Sequence, residues 1–427
     1  MRSKKTICIL LSSLMILLLC SCSKQDPNRV SNSDNLMYGV IKTSDGKTYN
    51  FSSGKTSEPT DYSKYITNAS NFSVSLFQKS SNTTKNSIIS PMAAYFSMCL
   101  ASIGSDTTTK KQFQDTLNPT ISNDNLNAGN NYLIQRIKSF NNDNYFADIA
   151  NSFWLNNLDT EHSFLLKNAN FYNAGIFSLD FKNSVSAKKI NNWISDNTNG
   201  GITDVVNKTD KDNRMLITDS IFVNTNWTNN YTSDEISKGT FHGTSGNTNA
   251  NFMKSAERYI HDDKCVGFIK NMGAIPCRFV ALMPNEGESL SNFTSQLTGK
   301  EFLNLTNYSK VPEFKDVRLP AFSIENSSSI SDPLKKTGLT EAFSNNADFS
   351  IMSGHKIYIS DVLQKTKIEV GSSGVKSDAI ADTVLTTTTA NNDKNAITFD
   401  RPFVFAIIDN ESNLPLLMGT VTVPNVS

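Results

Sequence analysis

The stretch KIEV at 367–370, GSSG at 371–374, VKSDAIADTVLTTTTANNDKNAIT at 375–398 and FDRPFVF at 399–405 decides the fold of this chain. Its two ends have the composition of strands, and they flank about two dozen residues that contain no proline and no aromatic side chain. A connection of that length in a compact domain is usually functional or disordered. Its valine, isoleucine and threonine content favours a strand over flexible coil. The pattern therefore predicts a loop that is able to become a strand.

The alternation of side chains in this loop indicates which face would be buried. Counted by two, one face is small and uncharged and carries Val375, Ser377, Ala379 and Ala381. The other face is mostly charged and carries Lys376, Asp378, Ile380 and Asp382. Such a strand can enter a sheet with its small side chains against the core and its charges in water.

The elements along the rest of the chain indicate an α+β domain. In the first half of the chain, apolar residues recur at helical spacing. There Ser90 suits a helix N-cap and Pro91 suits the first helical turn. From Met215 onward strand-like segments predominate. Helices followed by strands are typical of an α+β fold.

Several further motifs occur in a fixed order. They are NSIISP at 86–91, ANSFW at 150–154, INNW at 190–193 with TNGGI at 198–202, DSIFVNTNW at 219–227, VRLPAF at 317–322, DRPF at 400–403 and LMG at 417–419. Together with the loop, they resemble the blocks of the serpin family over roughly residues 60–427. The resemblance implies a serpin fold with a large central β-sheet, further sheets, helices mainly in the N-terminal half and an exposed reactive-centre loop at about 372–398.

The resemblance also implies a mechanism. A serpin is a suicide-substrate inhibitor: a peptidase cleaves the loop as far as the acyl-enzyme, and the freed loop then inserts into the main sheet. No catalytic residue and no cofactor are implied. The alternatives are a non-inhibitory serpin that serves as a surface binding protein, and an inhibitor of papain-like cysteine peptidases.

The hinge of the loop departs from the family pattern. By matching, the hinge residues are Ser372, Gly374, Val375, Ser377, Ala379 and Ala381. Gly374 agrees with the family, whereas Ser372 replaces a glutamate and only two alanines remain of an alanine run. The alternating small residues still favour insertion, because a charge buried without a partner would cost several kcal/mol.

The reactive bond follows from the position of the hinge glycine. Counting as in the family places it at Thr388–Thr389, with the register open within 386–390. A small β-branched residue there suits elastase-like or subtilisin-like serine peptidases, and papain-like enzymes are a second option. The alternative is that the threonines are merely soluble strand formers.

The region where the family's sheet opens matches Ser90, Ala93, Asp219 and Gln364. Asp219 and Gln364 replace an asparagine and a histidine that meet beneath the sheet in the family. Since an acid and an amide can satisfy each other, we expect an Asp219–Gln364 hydrogen bond.

The N-terminus indicates export. A basic start, an apolar run over 7–19 and the order Leu19-Cys20-Ser21-Cys22 resemble a lipoprotein signal of residues 1–21, with Cys22 lipidated. An ordinary signal peptide is the alternative. We expect a spacer over 22–58, a serpin domain over 59–427, and anchoring by lipid to the bacterial cell surface or outer membrane.

Charge and cysteine usage bound the remaining possibilities. Forty basic and forty acidic residues leave a formal net charge of zero, so no nucleic-acid partner is expected. The partners expected are a target peptidase and the membrane, and the protein is expected to be a monomer. The four histidines lack metal-ligand spacing. Cys99 is expected to be buried, and spacing leaves open whether Cys265 and Cys277 pair.

Overall fold

The computed structural model describes residues 26–38, 40, 58–142, 144–376 and 397–424. Within these residues the α-helices are α1 (Tyr62–Ser80), α2 (Pro91–Ile103), α3 (Thr107–Leu117), α4 (Asn123–Ser139), α5 (His162–Phe171), α6 (Ser186–Asp196), α7 (Leu290–Gln296), α8 (Gly299–Leu305) and α9 (Ser331–Lys336). Helices α1–α6 precede residue 200, and the α+β segregation expected from the sequence is confirmed.

Strands predominate in the later part of the described chain. They are β1 (Ser87–Ile89), β2 (Phe146–Asn156), β3 (Gly175–Leu179), β4 (Met215–Asn226), β5 (Ile236–Gly243), β6 (Gly246–His261), β7 (Cys265–Asn271), β8 (Cys277–Pro284), β9 (Phe314–Pro320), β10 (Phe322–Ser329), β11 (Ile359–Gly371), β12 (Gly374–Lys376), β13 (Ile397–Thr398), β14 (Phe403–Asp409) and β15 (Pro415–Val421).

These strands form two sheets. One has six strands in the order β10-β11-β12-β4-β2-β3, with β11 and β4 also paired directly. The other has nine strands, in the order β1-β15-β14-β8-β7-β6-β9-β13 with β5 on β6. β13 resumes the chain after the loop and pairs parallel with β9, so the two ends of the loop belong to different sheets.

The six-stranded sheet is covered on both faces. Successive residues of a strand point to opposite sides, and here Phe153 packs in the main core with α1 and α2 while Trp154 packs with Ile190 and Ile194 of α6. We call the α2 side the rear face and the α6 side the front face. Because both faces of the sheet are covered, nearly every residue of β2 and β4 is buried.

Helix α2 is the buried centre of the rear face. Every residue from Pro91 to Ser102 is buried. Ser90 caps the helix by accepting from the Ala93 backbone N–H at 3.2 Å, and Pro91 occupies the first helical position, where a missing N–H costs nothing. The cap expected at Ser90 is confirmed, and the helix ends at Ile103 with Gly104 as its C-cap.

Part of the predicted spacer lies on the body of the protein. The segment 26–38, which we call the strap, runs beside β3: the Ser178 N–H donates to the Asp34 carbonyl at 2.8 Å, and the Leu36 N–H donates to the Ile176 carbonyl at 3.0 Å. Met37 is buried in the main core. Within the spacer expected over 22–58, edge pairing and apolar burial fix this segment to the sheet.

The cysteines of the described chain are reduced and buried: Cys99, Cys265 and Cys277. Cys265 lies opposite Pro284 in the β7–β8 ladder, whereas Cys277 begins β8 at the other end of that hairpin. The two thiols are therefore separated by the length of the hairpin, and the pairing left open by their spacing does not form. Among the described residues, no helix has the length and apolar character that crossing a membrane requires.

Candidate functional site: the loop hinge and the β4–β11 seam

The hinge, residues 371–376, lies inside the six-stranded sheet. β12 pairs antiparallel with β11, where Val375 faces Val370, and antiparallel with β4, where Val375 faces Thr225. Val375 is 1% exposed. Below the hinge, β11 and β4 pair with each other in parallel, over 359–366 and 215–221. We call this boundary the seam; β12 holds it open at one end only.

Gly374 is required by the close packing of the hinge. Its φ of 152° lies in a region that L-residues rarely adopt. A Cβ at this position would sit 2.1 Å from the Thr225 carbonyl oxygen and 2.6 Å from the Asn226 Cα. Any larger residue must therefore displace the hinge from β4.

Three hydrogen bonds hold the turn that leads into β12. The Trp227 N–H donates to the Ser373 carbonyl at 3.3 Å, and the Tyr231 N–H donates to the Ser372 carbonyl at 2.9 Å. The Trp227 indole Nε1–H donates to the Gly371 carbonyl at 2.8 Å. All three use backbone carbonyls of the hinge, so Ser372 contributes its main chain to the site.

The Trp227 ring packs against a buried ion pair formed by Lys270 and Glu257. The Lys270 ammonium lies 4.3 Å from the Tyr231 ring centroid and 5.4 Å from that of Trp227, and it contacts the Glu257 carboxylate at 2.5 Å. The Lys270 side chain is only 4% exposed, which makes both the charge partner and the aromatic faces necessary to hold it. The Lys270–Glu257 ion pair keeps the Trp227 ring in place beneath the turn.

A row of polar side chains crosses the middle of the seam. Asn151 on β2 faces Asp219 on β4, and Asp219 faces Gln364 on β11. All three are buried, and all three bind helix α2 or its cap. We call Asn151, Asp219 and Gln364 the polar row.

Gln364 and Asn151 bind backbone groups at the start of α2. The Gln364 amide accepts from the Ser90 N–H at 2.7 Å and donates to the Ser90 carbonyl at 3.0 Å. The Asn151 amide donates to the Ala93 carbonyl at 2.8 Å. The Ser90 hydroxyl also donates to the Leu416 carbonyl at 2.9 Å, so the cap of α2 links both sheets.

Asp219 is the unusual member of the row. The Ser97 hydroxyl donates to its Oδ1, and its Oδ2 has no hydrogen-bond partner. Burial raises the pKa of the Asp219 carboxyl to about 8, although the Ser97 hydrogen bond acts to lower it. The expected Asp219–Gln364 hydrogen bond is wrong: both polar atoms of Gln364 are taken by Ser90, because the side chain reaches the helix cap instead of its neighbour.

The structure places the expected residues in two groups. Ser372, Gly374 and Val375 form the hinge, while Ser90, Asp219 and Gln364 meet at the seam together with the backbone of Ala93. The expected positions that lie outside the described residues are Cys22, Ser377, Ala379, Ala381, Thr388 and Thr389.

Sequence reasoning missed Asn151, Ser97, Tyr231 and the role of Trp227 at the hinge. Asn151 and Trp227 stand in motifs that were recognised, ANSFW and DSIFVNTNW. Their contacts were not readable there, because each one joins segments far apart in the chain.

Comparison with known proteins agrees with this architecture. The profile of the family described as "Serpin (serine protease inhibitor)" matches residues 67–424. The chain belongs to the serpin family. A serpin of this family is a protease inhibitor, not an enzyme. Among the residues that the structure describes, no cluster of side chains is suited to a metal ion.

Individual relatives extend the comparison. An uncharacterized serpin-like protein of Thermococcus kodakarensis is 26% identical over 372 residues, 84% of this chain and 86% of that protein. The plasma serine protease inhibitor of Homo sapiens is 26% identical over 350 residues, 78% of this chain and 84% of that protein. The thermophilic serpin tengpin in its native state has a TM-score of 0.76 and 33% identity, over 84% of this chain and 94% of that one.

Proposed function

We propose that this serpin is a suicide-substrate inhibitor of extracellular peptidases that traps the acyl-enzyme by inserting its cleaved loop along the β4–β11 seam. The observation that carries the proposal is the hinge itself. Val375 already occupies the seam, in antiparallel register with both flanking strands. This pairing supports the proposal, because a strand that continued from Val375 would enter the same seam.

The register of the hinge extends to the polar row. If β12 continues with the pairing that it has at Val375, Ala381 comes to lie between Asp219 and Gln364, and the registers on β4 and on β11 agree on this. Ala381 comes six positions after Val375, an even step along a strand, so in this register both would face the rear side. A small uncharged residue at this row avoids placing a charge against the buried start of α2.

The length of the seam fits the expected reactive bond. If the same register continued, the far ends of β4 and β11, Met215 and Ile359, would lie opposite residues 385 and 386. Thr388 would then follow just beyond the end of the sheet. β11 has 13 residues, so a peptidase bound there moves by about 40 Å at a strand rise of ~3.3 Å per residue.

The residues at the reactive bond support the target class. We infer cleavage at Thr388–Thr389, within the run Thr386–Thr389. Shallow primary pockets accept a small β-branched side chain, which favours elastase-like or subtilisin-like serine peptidases. Val384 and Leu385 nearby suit papain-like cysteine peptidases, which are the second class to test.

The test is covalent trapping. A soluble chain that begins at Ser23 is mixed with elastase, subtilisin and papain, and SDS-stable complexes are sought. We expect a complex with a serine peptidase and a cut near Thr388 by mass spectrometry. Cleavage at that bond with no complex and no rise in melting temperature would establish a substrate, and the non-inhibitory binding protein favoured by Ser372 would replace the proposal.

We also propose that the protein is exported and anchored by a lipid on Cys22, at the bacterial cell surface or outer membrane. The basic start, the apolar run over 7–19 and Leu19-Cys20-Ser21-Cys22 support this. Mass spectrometry of the N-terminal peptide is the direct measurement. A Cys22→Ser variant should appear in the soluble fraction, and its persistence in the membrane fraction would count against the anchor.

A further inference from the structure

The strap closes the free edge of the six-stranded sheet. β3 is the outermost strand of that sheet, and its exposed backbone edge is the kind that pairs with other chains. Asn35 forms an antiparallel bridge with Phe177, flanked by the Ser178–Asp34 and Leu36–Ile176 hydrogen bonds. The strap is thus integrated into the sheet by its main chain.

The strap also binds helix α6 on the front face. The Lys189 ammonium contacts the Asp34 carboxylate at 2.6 Å, and the Asn192 amide donates to the Asn28 carbonyl at 2.9 Å. Arg29 pairs with Asp196 at the end of the helix. These contacts follow α6 from Lys189 to its last residue, so the strap lies along the helix.

The ion pair at Asp34 is a defined contact and not a loose surface pair. Its two side chains are 20% and 17% exposed. Burial by itself would raise the pKa of Asp34, but hydrogen bonds from Lys189 and from the Ser31 backbone and hydroxyl lower it below the usual value. The charged form is therefore held by its partners, and the strap is fixed at this point.

The position of Asp26 limits how far the front face can be from a lipid on Cys22. Asp26 lies four positions after Cys22, and an extended chain over those four steps spans at most ~14 Å. A free spacer over 22–58 would instead have an end-to-end distance on the order of 35 Å. The strap removes most of that freedom.

We infer that the front face, formed by α6 and the strap, rests against a lipid membrane. This inference depends on the proposed lipid anchor at Cys22. The exposed charged side chains of α6 and the strap are of both signs: Lys188, Asp196, Asp26 and Arg29. This face suits contact with a polar headgroup layer and not insertion into the hydrocarbon layer. The membrane surface is thus the partner of this face.

This orientation has a consequence for inhibition. The strands of a sheet whose face lies on the membrane run along the surface. The hinge end of the seam then points sideways, where a peptidase can reach the loop, and the trapped peptidase travels parallel to the membrane. A membrane-facing loop or a loop held far out on a tether would select different peptidases.

The experiment measures the two faces separately on the lipidated full chain in vesicles. A fluorophore is placed at Lys188→Cys on α6 or at Lys336→Cys on α9, which packs on α1 at the rear. The native thiols of the described chain are buried. The vesicles contain phosphatidylethanolamine, phosphatidylglycerol and a headgroup-labelled acceptor lipid.

We expect energy transfer to be several-fold greater from position 188 than from position 336, because a domain of this size is about 50 Å across. A further variant with a twelve-residue Gly/Ser insertion between Lys24 and Gln25 should bring the two signals to near equality. Equal transfer from the two positions in the anchored protein without the insertion overturns the inference. Absence of the lipid on Cys22 overturns the anchor and this orientation together, while trapping by the soluble chain remains a separate result.

Discussion

The hinge and the polar row lie on the same seam between β4 and β11, and they differ in how they would receive an inserted strand. At the hinge, β12 already separates β4 from β11, and backbone hydrogen bonds to Trp227 and Tyr231 hold the turn. At the polar row the same two strands are paired directly, and Asp219 and Gln364 face each other in register. Insertion is prepared at the first place and resisted at the second.

The difference between them is chemical. The hinge is built from glycine, a small apolar side chain and backbone bonds, which a new strand can continue without loss. The polar row binds the start of α2 through side chains, and one of its atoms, Asp219 Oδ2, has no partner. A buried polar atom without a hydrogen bond costs about 1–3 kcal/mol. The polar row of the closed seam therefore contains one destabilising atom, while the hydrogen bonds of Gln364 and Asn151 to α2 resist the incoming strand.

The largest effect should come from a charge placed at the polar row. Ala381→Arg would force a long cationic side chain into the space that a small residue would fill on the rear face between Asp219 and Gln364, where burying the charge costs free energy even when Asp219 pairs with it. Asp382→Arg, one residue along, would point to the other face. We expect the first variant to lose at least tenfold in the yield of SDS-stable complex and to be cleaved as a substrate.

The matched variant Asp382→Arg should keep most of its complex. Gel densitometry against elastase or subtilisin measures both variants under identical conditions. If the two variants trapped the peptidase equally well, the register drawn through Val375 would be wrong.

The hinge itself can be broken at Gly374. In Gly374→Ala the new methyl group meets the Thr225 carbonyl at 2.1 Å, and the positive φ adds strain of about 1–3 kcal/mol. We expect β12 to leave the sheet, with faster amide hydrogen exchange at Trp227 and Tyr231, whose N–H groups lose their acceptors.

Gly371→Ala is the control for this change, since an added Cβ there has no heavy atom within 4 Å. It should leave the exchange rates of both amides unchanged. Unaltered exchange in Gly374→Ala would mean that the hinge tolerates a side chain.

The polar row predicts a dependence on pH. Because the folded-state pKa of Asp219 is raised from 3.8 to about 8, the folded protein binds more protons than the unfolded chain between these values. Stability is then greatest below the unfolded pKa and falls as pH rises toward 8, by at most ~1.4 kcal/mol per unit. We expect the melting temperature to decrease from pH 5.5 to 8.

Asp219→Asn removes this titration and should flatten that part of the pH profile. Asp316→Asn, at an exposed ion pair with Lys254, should retain the slope of the unaltered protein. Differential scanning fluorimetry across the pH series compares the three proteins, and identical slopes for all of them would contradict the assignment.

The smallest effect is expected at Trp227. Trp227→Phe keeps the ring in the core but loses the indole hydrogen bond to the Gly371 carbonyl. The cost should be about 1 kcal/mol, the usual net value of one hydrogen bond. Denaturant unfolding measures it.

Trp193→Phe, on α6 and away from the hinge, is the comparison for Trp227→Phe. It should leave amide exchange at Ser373 unaltered, whereas Trp227→Phe should accelerate it. Equal amide exchange at Ser373 in the two variants would contradict the inference that Trp227 holds the hinge turn.

The parts that were readable in advance share one property: they depend on local patterns. The cap at Ser90 with Pro91 and the strands after Met215 both follow from spacings of a few residues. The strap was missed because β3 binds it through backbone groups, which leave no mark on side-chain composition. Its polar sequence has the composition of a spacer.

The sequence alone determined the family and the order of helices and strands, since periods of two and of about three and a half are set by the geometry of a single strand or helix. Only the tertiary structure decided that Gln364 binds Ser90, that Asp219 keeps an unpaired oxygen, and that the strap lies along α6. Each of these depends on which atoms from distant segments come within about 3 Å of each other. That distance is fixed by the register of strands and the packing of helices, which no local spacing encodes.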